Sequence, residues 1–371
     1  MSRVVLVGSF APTLQKFRLP LVRELVARGH EVIAWSPDDP ASDHAARLAQ
    51  AGARWECIEF TRNRAAPLAD WRLGRHMRAR LRSLRPDAAL LYSAKPIVIG
   101  APAARGAGVP RVTAMVTGLG YLFLGTGIRG SVRSMIARAA YRRALRSCDA
   151  AIFHNVDDAA FFGSAGLWSG LTQVSAGSGV DLGEYPHRPL PPAPVVLMAA
   201  RFLREKGVAE FLAAASIVRR SHSTVRFVLA GFGDGGPGEI DPLVIRAASQ
   251  RGDVELLGRV PHLGDALARS SIVVLPSWRE GLSHVLLEAA ATGRAVVTTD
   301  VPGCRDAVVA GETGLLVPPR DARTLADAIM ILLADPARCA AMGQAARRLA
   351  ESTFDAAVVA RSHADTILGT A

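Results

Sequence analysis

Residues 272–293 run Ile272-Val273-Val274-Leu275-Pro276-Ser277-Trp278-Arg279-Glu280-Gly281-Leu282-Ser283-His284-Val285-Leu286-Leu287-Glu288-Ala289-Ala290-Ala291-Thr292-Gly293. The first four form a short β-branched run of the kind buried in a parallel sheet, and Pro276-Ser277 stops it. Gly281 lets the backbone come close to a ligand, and a helix beginning near Ser283 offers first-turn amides that favour a negative or hydroxyl-bearing group. Glu280 then sits in the loop at the helix mouth and Glu288 one to two turns in. Carboxylates accept hydrogen bonds from sugar hydroxyls, so the pair suits a hexose at Glu280 and a ribose at Glu288. Two acids at this spacing are equally what a solvated helix and an exposed loop would show, so the neighbouring segments decide.

Upstream, Val195 to Ala199 reads as a strand running into Ala200-Arg201-Phe202-Leu203-Arg204-Glu205-Lys206-Gly207, ahead of a helix over Val208 to Val218. Lysine occurs only at Lys16, Lys95 and Lys206 among 44 basic residues. Cations are disfavoured at a helix N-terminus, so three of them there ask for a reason. Arg201 supplies a planar fork and Lys206 a compact point charge, a combination suited to clamping a diphosphate. Val225 to Ala230 reads as a further strand feeding the turn Gly231-Phe232-Gly233-Asp234-Gly235-Gly236, where a nucleotide can lie against bare backbone.

Together these segments resemble the retaining glycosyltransferases of family four, which have the GT-B architecture. The resemblance rests on Ala200-Arg201 to Lys206-Gly207, Ala230-Gly231-Phe232-Gly233, Gly258-Arg259-Val260, Leu275-Pro276-Ser277, Glu280-Gly281 with Glu288-Ala289, Val301-Pro302-Gly303-Cys304-Arg305-Asp306 and Gly311 to Val317. It implies an α/β fold of two Rossmann-like domains facing each other across a cleft. It also implies Arg201 and Lys206 at the donor diphosphate, Glu280 at the transferred sugar and Glu288 at the ribose, with Gly231, Val260, Gly281, Leu282 and Ser283 around the nucleotide.

The 371 residues suffice for two domains, and 50% hydrophobic with 21% charged residues describes a packed protein, not a disordered one. Cys57, Cys148, Cys304 and Cys339 are widely spaced, with no Cys-x-x-Cys pair, which points to a reducing compartment and no structural zinc. No secretory signal is visible after Arg3, and the longest uncharged stretch, Val112 to Ile128, is broken by glycines. In the first half, strands at Val4 to Val7, Glu31 to Trp35, Ala88 to Tyr92 and Ala150 to Phe153 alternate with helices such as Phe17 to Arg28, the rhythm of a doubly wound parallel sheet. The proline-rich stretch from Tyr185 to Pro194 marks a boundary. We therefore expect an acceptor-binding, membrane-facing domain over 1–187, a nucleotide-sugar domain over 188–353, and a tail helix over 354–371 that, by the resemblance, crosses back to the first domain.

Charge is unevenly spread. Residues 1–187 hold 24 basic and 14 acidic side chains, whereas residues 188–371 hold 20 and 19. Arg62 to Arg85 contains eight arginines against Asp70 alone; Arg129 to Arg146 contains six and no acid. Arg129, Arg133, Arg138, Arg142 and Arg146 recur near helical spacing opposite Val132, Met135, Ile136 and Ala139, a pattern that suits an anionic membrane surface. A solvated basic face would read the same way. No nucleic-acid motif is present and aromatics are sparse between the arginines, which disfavours a nucleic-acid binder. Lys95-Pro96, Gly108 to Arg111, Thr117-Gly118-Leu119-Gly120-Tyr121, Phe153-His154-Asn155 and Arg279-Glu280-Gly281 resemble the branch that extends polyprenyl-diphosphate-linked glycans. That resemblance implies a cytoplasmic enzyme, peripheral on the inner face of the membrane; a soluble acceptor is the alternative.

Many members of the family carry a histidine on the loop that here reads Val116-Thr117-Gly118, where Thr117 stands instead. Thr117, Gly118, His154 and Asn155 are acceptor-side candidates, with a hydrogen-bonded structural role open for His154. The loop Val7 to Lys16 lacks the Gly-x-Gly-x-x-Gly of a dinucleotide fold, which disfavours an oxidoreductase. Lys16 and Arg18 are candidates for the acceptor diphosphate or plain surface cations. No Asp-x-Asp motif appears, so the expected reaction is a metal-independent, cofactor-free, front-face substitution from a UDP-sugar, with a GDP-sugar next in preference.

Overall fold

The computed structural model describes residues 1–37, 43–60, 66–119, 127–233, 235, 236 and 238–370, with side chains at 127–130 excepted. Gly120, Tyr121, Asp234, Arg62, Arg64 and the Arg129 side chain therefore lie outside the described residues. The chain forms two compact units, Met1–Ser178 with Ala356–Ala371, and Gly179–Asp355.

The first unit is a seven-stranded sheet of β1 (Arg3–Val7), β2 (Glu31–Ser36), β3 (Ala53–Cys57), β4 (Ala88–Tyr92), β5 (Arg111–Val116), β6 (Ala150–Phe153) and β7 (Leu171–Val174). Its order is β3-β2-β1-β4-β5-β6-β7, with every pairing parallel. Helices α1 (Ala11–Ala27) and α2 (Asp43–Gln50) cover one face. Helices α3 (Pro67–Leu84), α4 (Ala101–Ala107), α5 (Gly127–Leu145) and α6 (Val156–Ser164) lie on the same side of the chain path as the other core, in which Leu73, Met77, Ala104, Tyr141 and Phe162 pack on Val5, Leu91 and Phe153. A π-helical turn, Pro96–Gly100, leads into α4. Near-continuous burial along β1, β4, β5 and β6 is what a parallel sheet covered on both faces requires.

One expectation is corrected here. Helix α1 begins at Ala11, not Phe17, because Pro12 suits a first helical turn, so Lys16 is on a helix and not in the preceding loop. In α5 the apolar stripe Val132, Met135 and Ile136 faces outward; Ala137, Tyr141, Ala144 and Leu145 make the core side.

The second unit repeats the plan with β8 (Val195–Ala199), α7 (Val208–Arg219), β9 (Arg226–Ala230), α8 (Pro242–Gln250), β10 (Glu255–Gly258), α9 (Leu263–Ala268), β11 (Ile272–Leu275), α10 (His284–Thr292), β12 (Ala295–Thr299) and β13 (Gly314–Val317). The parallel order is β10-β9-β8-β11-β12-β13, which reverses between β8 and β11. Helices α11 (Ala322–Ala334) and α12 (Pro336–Leu349) complete it. The proline-rich stretch read as a boundary lies inside this unit, fixed by bonds from Arg347 to the Tyr185 carbonyl and from Arg294 to the Pro189 carbonyl. Helix α13 (Ala356–Leu368) packs on α1 in the first unit.

Candidate active site

In an open parallel sheet, loops leaving the strands on either side of the order reversal form the binding crevice. In the second unit those loops follow β8 and β11, and they are locked together by backbone. Lys206 ends a 3-10 turn closed by Gly207 at φ 74°. A Cβ on Gly207 would lie 2.1 Å from the Pro276 carbonyl oxygen, so the approach admits only glycine. The Trp278 amide donates to the Glu205 carbonyl at 2.8 Å.

This brings Lys206 Nζ to 2.6 and 2.8 Å from the two Glu280 carboxylate oxygens, and the Ser277 hydroxyl donates to Oε1 at 2.7 Å. The pair is 19% and 13% exposed, enough shielding to strengthen it while leaving both heads reachable. A third loop supports it from below: the Glu280 amide donates to Pro302 at 3.0 Å, and Gly303, at φ 76°, sits where a Cβ would meet the Glu280 carbonyl at 2.5 Å. Cys304 is buried beside this carboxylate; burial first and the Glu280 charge second push its thiol up to about 12. The structure thus joins Lys206 and Glu280, which the sequence assigns to two neighbouring parts of a donor, its diphosphate and its sugar.

Ser283 caps α10 from extended backbone without a side-chain bond to it, and Leu282 and Ser283 are buried. Glu288 lies in the second turn and is 2% exposed, hydrogen-bonded to the Tyr185 phenol. Burial, followed by the Glu288 charge, raises the Tyr185 pKa. Sequence reasoning missed Tyr185, whose place at the head of a proline-rich stretch made it look like linker. It also missed Trp278, which donates to Glu210 at 2.9 Å and carries the Arg320 guanidinium 4.1 Å above its ring.

Arg201 is exposed in the loop after β8. Gly231, at φ 143°, has the Ala200 carbonyl where a Cβ would be, at 1.8 Å, and Arg259 stacks on Phe232 next to it. Half-buried Val260 lines a cavity of about 240 Å³ with Leu197, Val228 and Leu257, separate from Lys206 and Glu280.

In the first unit, Thr117 and Gly118 follow β5 while His154 and Asn155 follow β6, on adjacent strand ends, since Val116 pairs with Phe153. His154 and Asn155 are buried, and Asn155 caps α6 through the Asp158 amide at 2.7 Å. Lys16 is exposed, with its ammonium 5.6 Å from the Phe17 ring centroid. Arg18 is not a surface cation. It is 3% exposed, donates to the Ser178 hydroxyl and lies 4.8 Å from the Tyr92 ring centroid. Burial lowers its pKa to about 10.

Residues 193–335 match the sequence profile of the glycosyl transferases group 1, and residues 14–169 that of the glycosyltransferase 4-like domain. The chain belongs to this glycosyltransferase family, and its two parallel sheets are the GT-B fold. The N,N'-diacetylbacillosaminyl-diphospho-undecaprenol alpha-1,3-N-acetylgalactosaminyltransferase of Campylobacter jejuni is 26% identical over 347 residues, 90% of either chain. A glycogen synthase of Mycobacterium tuberculosis is 34% identical over 207 residues, 54% of this chain and 49% of its own. Among solved structures, Anabaena Alr3699/HepE in complex with UDP-glucose superimposes with TM-score 0.78 at 19% identity, covering 100% of both chains. Sucrose-phosphate synthase from Thermosynechococcus elongatus gives TM-score 0.78 at 21% identity over 98% and 97%. These structural likenesses establish the fold.

Proposed function

We propose that the protein is a retaining, metal-independent hexosyltransferase that moves a sugar from a nucleotide-sugar to a polyprenyl-diphosphate-linked glycan at the inner face of the membrane. The observation that carries the donor half is the Lys206–Glu280–Ser277 network at the β8/β11 reversal. Incoming diphosphate competes with Glu280 for the Lys206 ammonium, and the freed carboxylate turns to the sugar hydroxyls. Charge growing on the leaving diphosphate is met by Arg201, Lys206 and the amides at the mouth of α10, oriented before the reaction begins. The acceptor hydroxyl enters on the face from which the diphosphate leaves. UDP-hexose or UDP-N-acetylhexosamine is the donor favoured by the UDP-glucose complex of the structural relative.

The lipid-linked acceptor is supported by the relative that shares 90% of the chain and is named for a diphospho-undecaprenol substrate. Among the described residues no helix is long and apolar enough to cross a membrane. The test is thermal shift with UDP, GDP and their sugar conjugates, then transfer to a prenyl-diphosphate glycan with the anomeric configuration of the product read by NMR. No stabilisation by any nucleotide would remove the donor half. Transfer only to a water-soluble acceptor would remove the lipid half.

A further inference from the structure

Trp278 directly follows Ser277, whose hydroxyl donates to Glu280, and its half-buried indole is held from two elements that have no part in the transfer described above. From α7, Glu210 accepts the indole N–H at 2.9 Å. The other oxygen of that carboxylate is buried with no partner, so the indole is the one hydrogen bond of the Glu210 side chain among the described residues. From the turn between β13 and α11, the Arg320 guanidinium lies 4.1 Å from the centre of the indole ring. Tryptophan offers such a cation the best of the aromatic faces.

Arg320 occupies a backbone conformation that suits glycine. Its φ is 63°, in the left-handed region, where a side chain is strained and glycine is not. The chain imposes this turn from both sides: Pro318 and Pro319 precede it, and Asp321 after it caps α11 by accepting the Arg323 and Thr324 amides at 3.0 Å each. Among the described residues the one polar or ring contact of the Arg320 guanidinium is the Trp278 ring. β13 and β11 are separated by β12 alone, about 10 Å at ordinary strand spacing, a gap that a long side chain bridges.

We propose that Trp278 and Arg320 are positioning residues for the donor sugar: Arg320 clamps the indole, and the clamped indole sets where Ser277 and Glu280 present their oxygens. This rests on the reading of Glu280 as the group that meets the transferred sugar. Backbone bonds already tether the loop, from the Trp278 amide to the Glu205 carbonyl beside Lys206 and from the Glu280 amide to the Pro302 carbonyl. The clamped ring fixes the rotation those tethers leave open. Released from Arg320, the ring turns and carries its own Cα with it, moving the hydroxyl before it and the carboxylate after it. A misplacement of about 1 Å at a reacting centre can cost on the order of 100-fold in rate. The nucleotide, whose proposed contacts are Arg201 and α10, stays bound as before.

The experiment compares Arg320→Gly and Arg320→Ala in the full chain. Both remove the guanidinium, and only the first also relieves the backbone. In both, kcat for transfer from a UDP-sugar is expected to fall about tenfold with UDP affinity within about twofold, while the glycine variant melts at or above the unaltered protein and above the alanine variant. Activity that falls while stability holds or rises is not what a residue serving only to hold a loop together produces. A second readout needs no turnover. Lysine occurs only at positions 16, 95 and 206, so amine acylation followed by peptide mass spectrometry reads each one. Loosening Glu280 should speed labelling of Lys206 roughly threefold or more in both variants, with exposed Lys16 unchanged as the internal standard. Unchanged kcat, or unchanged Lys206 labelling, overturns the proposal. So does a loss of kcat confined to the alanine variant and matched by a lower melting temperature, which makes Arg320 a loop support alone. Absence of transfer from any UDP-sugar in the unaltered protein strikes the transferase reading instead, and the labelling then decides whether Arg320 positions Glu280.

Discussion

Lys206 and Glu280, 74 residues apart in sequence, meet at 2.6 Å where the loops after β8 and β11 close on each other. The ammonium and the carboxylate neutralise one another, so neither is left as an unpaired half-buried charge, and on the proposed reading an arriving donor has to part them.

Replacing Lys206 by Ala should lower turnover by at least tenfold, about 1.4 kcal/mol, and also lower the melting temperature, because Glu280 loses its partner. Arg201→Ala should cost a similar factor in turnover but leave the melting temperature unchanged, since Arg201 is exposed. Steady-state kinetics and thermal melts on the two variants separate these outcomes; equal melting losses would place Arg201 in the fold rather than at the donor.

Glu280→Gln keeps the shape but weakens charge-assisted bonds, so it should depress turnover more than nucleotide affinity. Glu288→Ala should mainly weaken nucleotide binding. It should also cost stability on the order of 1–3 kcal/mol, because the buried Tyr185 phenol is left unpaired. Adding Tyr185→Phe should recover part of that loss in a denaturant titration, whereas no recovery would detach Tyr185 from Glu288.

Glycine is required at position 207 by its φ of 74° and by the 2.1 Å clash awaiting a Cβ. Gly207→Ala should therefore destabilise by more than about 1 kcal/mol and reduce turnover through displacement of Lys206. Denaturant midpoints and kcat measure the two effects; a variant of native stability and activity would show that the loops can separate without cost.

His363 of α13 is 2% exposed and 2.6 Å from the Ser175 hydroxyl. Burial first, and the Arg18 charge second, lower its pKa to about 3 from the ordinary value of 6.5. The unfolded chain takes up a proton below pH 6.5 that the folded chain refuses. Stability from this group is thus complete above pH 6.5 and falls as pH drops toward 3, by up to about 1.4 kcal/mol per unit. His363→Gln should flatten that slope between pH 6.5 and 4.5 in parallel denaturant titrations, and an unchanged slope would assign the acid sensitivity to other groups.

Segments whose meaning is local were legible. The run from Ile272 through Ser283 to Glu288 gave strand, loop and helix in place because burial, a proline stop and a capping residue act over a few residues. The partners of the acidic side chains were not legible. Tyr185 reaches Glu288, and Lys206 reaches Glu280, only through chain crossings that no periodicity encodes. Which face of α5 meets the sheet was likewise not legible: the small Ala137 and Ala144 with Tyr141 and Leu145, not Val132, Met135 and Ile136, are what the crowded sheet accepts. Arg18 reads in sequence as an acceptor-diphosphate group or a surface cation because nothing near it announces that Ser178 and Tyr92 will enclose it.

The second unit is continuous from Gly179 to Asp355, whereas the first is split around it and finished by Ala356–Ala371. On the ribosome the first sheet is therefore made early but emerges unroofed, with Leu14, Leu21 and Val22 lacking the cover that Ala360, Ala364 and Ile367 provide. Synthesis of all of residues 179–355 intervenes before that roof arrives. The nascent chain must shelter half a core for that interval, and a message truncated near residue 355 would yield a finished second unit tethered to a first one with its greasy flank bare.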